Sequence, residues 1–286
     1  MTDASSGAGD DRLTYDAEEV AGVFGRAAPI YDSVIPFFAR FGARLVDLAG
    51  LEPGERVLDV GSGRGATLFP AATLVGPTGE VLGVDLSEEM VARLTAEVAA
   101  RGAANVSVRR TNVEKLEVVG GAFDVAIVSF VLHLVPEPER AAARVLGALR
   151  AGGRCVASAP ILSAPGWEFL GPLLGSFLPR VTRPVAVPFR LDFDLPGVLA
   201  SAGFDVARVG EEEIEFSFAD ERAWWTWAWS GGLRALFEVL EPDDLEALRQ
   251  QAFAEMAALR TADGLAMRQR ATFVVARKPQ GSTSLS

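Results

Sequence analysis

Residues 57–65 read Val57-Leu58-Asp59-Val60-Gly61-Ser62-Gly63-Arg64-Gly65, and Gly83-Val84-Asp85-Leu86-Ser87 follows one short helix later. The apolar run 57–60 fits a buried parallel strand, and Gly61, Gly63 and Gly65 let the chain turn tightly while its backbone approaches a ligand. Asp85 ends a second apolar strand, where its carboxylate can accept hydrogen bonds from the two hydroxyls of a ribose. Dinucleotide sites share that much. Asp59 discriminates, because a carboxylate two positions before the first glycine is a poor neighbour for a pyrophosphate and a good one for an ammonium or sulfonium.

The 286-residue chain is 49% hydrophobic, enough for a full core in one domain with insertions. A net charge of −11 argues against sequence-independent binding to nucleic acid or to an anionic membrane, which needs a basic face. Arg180, Arg183 and Arg190 are close enough in sequence to form a local basic patch. The single cysteine, Cys155, lies in an apolar run and is expected in the core, so neither a disulfide nor a cysteine-rich metal site can form within the chain. The polar start 1–10 has no apolar h-region, and nowhere do eighteen apolar residues run together. These features predict a cytoplasmic protein, monomer or homodimer, with no membrane insertion and no nucleic-acid partner.

Residues 1–14 and 279–286 have the composition of disordered ends, and 15–55 reads as a helical cap. Within it Phe37, Phe38, Phe41, Leu45 and Leu48 recur at helical spacing, and Pro53-Gly54 closes the segment. Strands are then expected near 56–60, 80–84, 106–110, 123–129 and 153–159, with helices near 66–75, 88–100 and 139–149 between them. This alternation predicts an α/β, doubly wound parallel sheet whose ligands sit at the carboxyl ends of the strands, where Gly61, Asp85, Asn112 and Ser129 fall. The core spans 56–278. Its rhythm breaks at the proline- and aromatic-rich segment 161–200 and again at 217–268, both expected as helical lid insertions. A strand pair, 204–216 with 271–277, and a long helix near 243–259 complete the reading.

In this order and spacing, the motifs resemble class I S-adenosylmethionine-dependent methyltransferases, in particular the ubiquinone and menaquinone C-methyltransferase branch and natural-product tailoring enzymes. The matching pieces are Ala28-Pro29-Ile30-Tyr31-Asp32, residues 57–65, residues 83–87 with Met90, residues 112–116, 123–125 through Val131-Leu132-His133, and 149–154. The resemblance implies a Rossmann-like seven-stranded sheet with its last strand antiparallel. It also implies that Asp59 and the loop Gly61, Ser62, Gly63 and Gly65 surround the methionine portion of S-adenosyl-L-methionine. Asp85 would hold the ribose, while Leu86 and Met90 pack on adenine. Asn112, beside Val113, stands where the family usually has an aspartate, and its side-chain carbonyl can still accept from the adenine amino group. Ser129 and Phe130 would border the sulfonium, with Tyr31 closing over it.

Other readings compete at several positions. Gly61-x-Gly63-x-x-Ala66 also satisfies a looser dinucleotide fingerprint; Asp59, the Gly152-Gly153 turn and the terminal strand pair favour the methyltransferase. His133, the only histidine, is either a catalytic base or a cap or packing residue. In the cluster Trp224, Trp225, Trp227 and Trp229, the one-turn spacings suit core packing. The functional alternative is a pocket wall formed by Phe37, Phe38, Trp167, Phe177, Trp225 and Trp229. Glu168 and the acidic run 211–213 are either bases or solvated. No ligand spacing points to a metal. The expected activity is methyl transfer to oxygen or carbon of a small, fairly apolar acceptor, natural-product, quinone or terpenoid-like. The alternatives are a cofactor-bound enzyme that cyclises or rearranges its substrate without methylation, and a non-catalytic scaffold.

Overall fold

The computed structural model describes Leu13 and residues 16–161, 164–186 and 193–280. Two helices precede the sheet: α1 (Ala17–Ala27) and α2 (Phe37–Ala49). The side chain of Asp16 accepts from the Glu19 backbone N–H and caps α1, with Glu18 and Glu19 placed to favour the positive end of the helix dipole. The alternating core follows: β1 (Arg56–Val60), α3 (Leu68–Val75), β2 (Glu80–Asp85), α4 (Glu88–Arg101), β3 (Val106–Arg110), β4 (Phe123–Ser129), α5 (Pro138–Ala148) and β5 (Leu149–Ile161). Helix α3 starts two residues later than its apolar pattern suggests, because Gly65, Ala66 and Thr67 still belong to the loop.

Beyond β5 come α6 (Leu170–Phe177), α7 (Leu195–Ser201), β6 (Asp205–Phe218), α8 (Glu221–Ala228), α9 (Arg234–Phe237), α10 (Pro242–Ala257) and β7 (Leu265–Arg277). The strands form one seven-stranded sheet in the order β3-β2-β1-β4-β5-β7-β6, with β7 antiparallel to both neighbours. This is the expected doubly wound sheet with its last strand reversed. No described helix is long and apolar enough to cross a membrane.

Because side chains alternate across a strand, each central strand feeds two cores. Val57, Val125 and Ile127 pack with Phe41, Leu45 and Leu68 from α2 and α3 on one face. Leu58, Val60, Ala126 and Val128 pack with Ala141, Val145 and Leu199 from α5 and α7 on the other. Burial on both faces explains why β1 and β4 are predominantly apolar rather than alternating. Trp224, Phe237, Leu248 and Met256 extend the first core, so α8, α9 and α10 are built onto the sheet.

Cys155 is fully buried in β5, and burial pushes its thiol up to about 12. Of Arg180, Arg183 and Arg190, the first is engaged within the fold. Arg180 donates to Asp244 at 2.8 Å and lies over the Phe177 ring, and Arg190 falls outside the described residues.

Candidate active site

Strand order reverses between β1 and β4, and a cavity of about 910 Å³ opens at the carboxyl ends of these strands. That volume is near the top of the roughly 300–1,000 Å³ range of small-molecule sites, consistent with a nucleoside-sized cofactor together with an acceptor. Tyr31, Phe37, Phe38, Gly61, Gly63, Asp85, Leu86, Met90, Asn112, Val113, Ser129, Phe130, His133 and Trp167 all line it.

The glycine loop is held by backbone bonds and by Asp85. The N–H groups of Gly61 and Ser62 both donate to the Val84 carbonyl, at 2.8 and 3.0 Å. Gly61 has φ +66°, and a Cβ there would overlap Val131 Cγ2, so only glycine fits. Gly63 N–H donates to Asp85 Oδ2 and Ser87 N–H to Asp85 Oδ1, each at 2.9 Å. Burial raises the Asp85 carboxyl above its ordinary range, while these backbone donors counteract the rise. Asp85 thus ties the loop to the start of α4 at the edge of the cavity.

Three residues expected to touch the cofactor, Asp59, Ser62 and Gly65, do not line this cavity. Asp59 is fully buried behind the loop and does not line the cavity. Its Oδ1 accepts from the Thr67 hydroxyl at 2.7 Å, and its Oδ2 has no hydrogen-bond partner among the described residues. Burial is the main cause that brings its pKa up to about 7, opposed by the Thr67 bond. Residue 59 is still within β1, which ends at Val60, and its side chain is directed to Thr67 at the start of α3. Ser62 is buried with its hydroxyl turned toward Gly83. At Gly65, with φ +85°, a Cβ would collide with Phe69 and Leu94, so its smallness serves packing of the loop on α4.

Aromatic rings gather next to the loop. Tyr31 stacks on Phe38 with centroids 4.3 Å apart, and Phe130 meets Phe38 at 6.2 Å and Phe41 at 5.2 Å, edge-on in both cases. Two non-glycine residues beside this cluster have left-handed backbones, Asp32 at φ +57° and Phe130 at φ +54°. The Asp32 carboxylate accepts from Phe38 N–H at 2.9 Å and from Ala39 N–H at 2.8 Å, which caps α2 and holds Tyr31 next to Phe38. Phe130 N–H donates to the Ser158 carbonyl at 3.1 Å, fixing the turn that aims its ring inward.

Asn112 Oδ1 accepts from Glu114 N–H at 2.8 Å, so one lone pair of the carbonyl is already engaged in capping the following turn. His133 sits on a short turn, Leu132–Leu134, after β4, with its ring edge-on to Phe130 at 6.4 Å and to Phe193 at 6.2 Å.

On the lid side the aromatic assignment changes. Trp167 does line the cavity, and its Nε1 donates to the Ala266 carbonyl at 2.9 Å. Trp227 is the tryptophan of α8 on the cavity wall, 5.5 Å from Phe37. Trp225 and Trp229 face away from the cavity and pack on Phe237 at 4.6 and 5.2 Å. Phe177 is buried under the Arg180 guanidinium. The acids 211–213 are engaged in ion pairs along the edge strand β6, Glu211 with Arg270, Glu212 with Arg44 at 2.7 Å and Glu213 with Arg268 at 3.8 Å. Glu168 lines the cavity and accepts from Gly166 N–H at 3.0 Å.

Residues that sequence reasoning missed include Val20, Ala21 and Phe24 of α1, which also line the cavity. The i, i+3, i+4 spacing of Val20, Val23 and Phe24 was the available signal. Gln269 on β7 also lines the cavity, and nothing in the local pattern marks it.

The donor set suits S-adenosylmethionine. An acid faces the loop where a ribose would lie, Leu86, Met90 and Val113 form an apolar slot for a purine, and aromatic faces surround the place for a cationic sulfur. The chain belongs to the S-adenosylmethionine-dependent methyltransferases. Residues 51–165 match the family model described as a methyltransferase domain. The chain is 35% identical over 279 residues to nocamycin O-methyltransferase of Saccharothrix syringae, covering 91% of this chain and 99% of that one. It is also 35% identical over 164 residues to aklanonic acid methyltransferase DauC of a Streptomyces strain, covering 57% and 74%. Among solved structures, the 4+2 cyclase SpnF superposes with a TM-score of 0.55 at 22% identity, covering 85% of this chain and 81% of that one, a likeness of fold.

Proposed function

We propose that this enzyme methylates a hydroxyl or enol oxygen of a largely apolar, natural-product-like acceptor, with His133 taking the proton. The observation that carries the reading is that the glycine loop and His133 open onto one cavity. Its lid side is walled by Phe37, Trp167, Trp227 and leucines of α6. The full-length similarity to an enzyme named as an O-methyltransferase supports oxygen over carbon.

Bound in this cavity, S-adenosylmethionine supplies a methyl group already activated by the positive sulfur, for in-line displacement by a nucleophile. The chain's own task is therefore alignment and exclusion of water. Tyr31, Phe38 and Phe130 present ring faces and edges that keep the region dry, and a ring face near a cation is worth about 0.5–2 kcal/mol. The locked backbones of Asp32 and Phe130 hold those rings in place. His133, at the end of β4, receives the acceptor's proton on a ring nitrogen as the oxygen forms its new bond.

The deciding experiment is incubation with carbon-13 methyl-labelled S-adenosylmethionine and a panel of hydroxylated polyketide-like acceptors. Methoxy carbon signals in the product are expected. A carbon-bound methyl overturns the oxygen assignment, and product without label overturns methyl transfer to these acceptors.

A further inference from the structure

Gln269 is the polar side chain of β7 on the cavity wall, two positions from Met267 and on the same face of the strand. Its Nε2 donates to the Ile161 carbonyl at 2.7 Å and to the Arg270 carbonyl at 3.2 Å. Two carbonyl oxygens around one terminal atom fix that atom as nitrogen, and both amide hydrogens are engaged. The other terminal atom is then the oxygen, which accepts no hydrogen bond from the described residues. The amide is thus locked as an acceptor and matches only a ligand group that donates.

The sheet register gives its distance from the reacting end. Ser129 pairs with Ser158, and Ser158 with Phe273, so Gln269 lies four positions farther along β7 than the level of Ser129. At about 3.3 Å per residue this is roughly 13 Å toward the mouth of the crevice, too far for one small ring to reach from the methyl position. Phe37, 6.1 Å from Phe130 and 5.5 Å from Trp227, continues the wall from the reacting end with apolar, flat-faced rings.

We infer that Gln269 is a specificity-determining residue. It accepts a hydrogen bond from a second hydroxyl of an elongated, ring-bearing acceptor, distal to the oxygen that is methylated. This rests on the O-methyltransferase reading above for the other end of the acceptor. A ligand that offers only an ether or a carbonyl at this point would leave two acceptors facing each other, which costs affinity.

The test is equilibrium binding to the full chain, saturated with S-adenosylhomocysteine, followed by quenching of tryptophan fluorescence. The probes are 2-hydroxyanthraquinone and its methyl ether. Wild type is expected to bind the hydroxy probe about tenfold more tightly than the ether. In Gln269→Leu that ratio should fall to within twofold, with affinity for S-adenosylhomocysteine unchanged as the check on folding. In His133→Ala the tenfold ratio should persist, which separates the distal contact from the reacting end. Equal binding of the two probes to wild type, no binding of the hydroxy probe, or a ratio that survives in Gln269→Leu overturns the inference. Because no turnover is involved, failure here is distinguishable from failure of the labelling experiment, which reports on methyl transfer alone.

Discussion

The Thr67 hydroxyl donates to Oδ1 of Asp59 across 2.7 Å, with both residues almost wholly removed from solvent behind the glycine loop. In the folded chain Asp59 titrates near about 7, against 3.8 for an ordinary aspartate. Between those values the fold holds a proton that the unfolded chain has released. The stability associated with this group is therefore full below about pH 4 and declines as pH rises through about 7. The slope is about 1.4 kcal/mol per pH unit, several kcal/mol across the window. Urea unfolding of wild type and Asp59→Asn between pH 4 and 8 should show the wild type losing ground relative to the variant up to about pH 7 and holding level above it. Parallel curves would show that Asp59 does not titrate in this window.

Asp85 joins Gly63 to Ser87, so removing its carboxylate both loosens the loop and deletes the expected ribose contact. Asp85→Ala should weaken S-adenosylhomocysteine binding by about 2–4 kcal/mol, from two charge-assisted hydrogen bonds lost. Calorimetry showing unchanged affinity would count against the cofactor placement.

Gly61 is enclosed by Val131 and has a left-handed backbone. Gly61→Ala should cost about 1–3 kcal/mol in unfolding free energy and most of the cofactor affinity. Adding Val131→Ala removes the collision without correcting the backbone, so partial recovery of stability is the expected outcome of the double variant, measured by thermal unfolding.

If His133 is the base, His133→Ala should lower kcat by about 10²–10⁴-fold while the KM for S-adenosylmethionine changes little. Steady-state kinetics that leave kcat intact would reduce His133 to a wall residue.

Trp224 and Trp227 lie on one helix yet serve different ends. Trp224 is fully buried, stacked on Trp167 at 5.7 Å, and Trp224→Ala should destabilise the fold by about 3–5 kcal/mol. Trp227 faces the cavity, and Trp227→Ala should act mainly by raising the KM of the acceptor. Denaturation midpoints and acceptor kinetics on the same pair of variants check both halves.

The sheet was legible because period and order are properties of the chain itself. Predominantly apolar stretches at 57–60 and 123–129, with helices between them, have one efficient arrangement, a parallel sheet buried on both faces. Gly61, Gly63 and Asp85 were legible for a similar reason: a left-handed turn followed by an acid at the end of the next strand is a local, short-range device. Tertiary structure decided the rest. Asp59 is the same residue in the same local sequence whether it faces a ligand or the interior, and only the contact with Thr67 at the start of α3 shows that it is turned inward. The tryptophans of α8 are all apolar, so their spacing gives faces without saying which face meets the cavity. Packing on Phe237 withdrew Trp225 and Trp229 and left Trp227 at the wall. Gln269 has no local signature at all, because its role depends on the Ile161 carbonyl, 108 residues away in the chain and adjacent only once β5 and β7 pair.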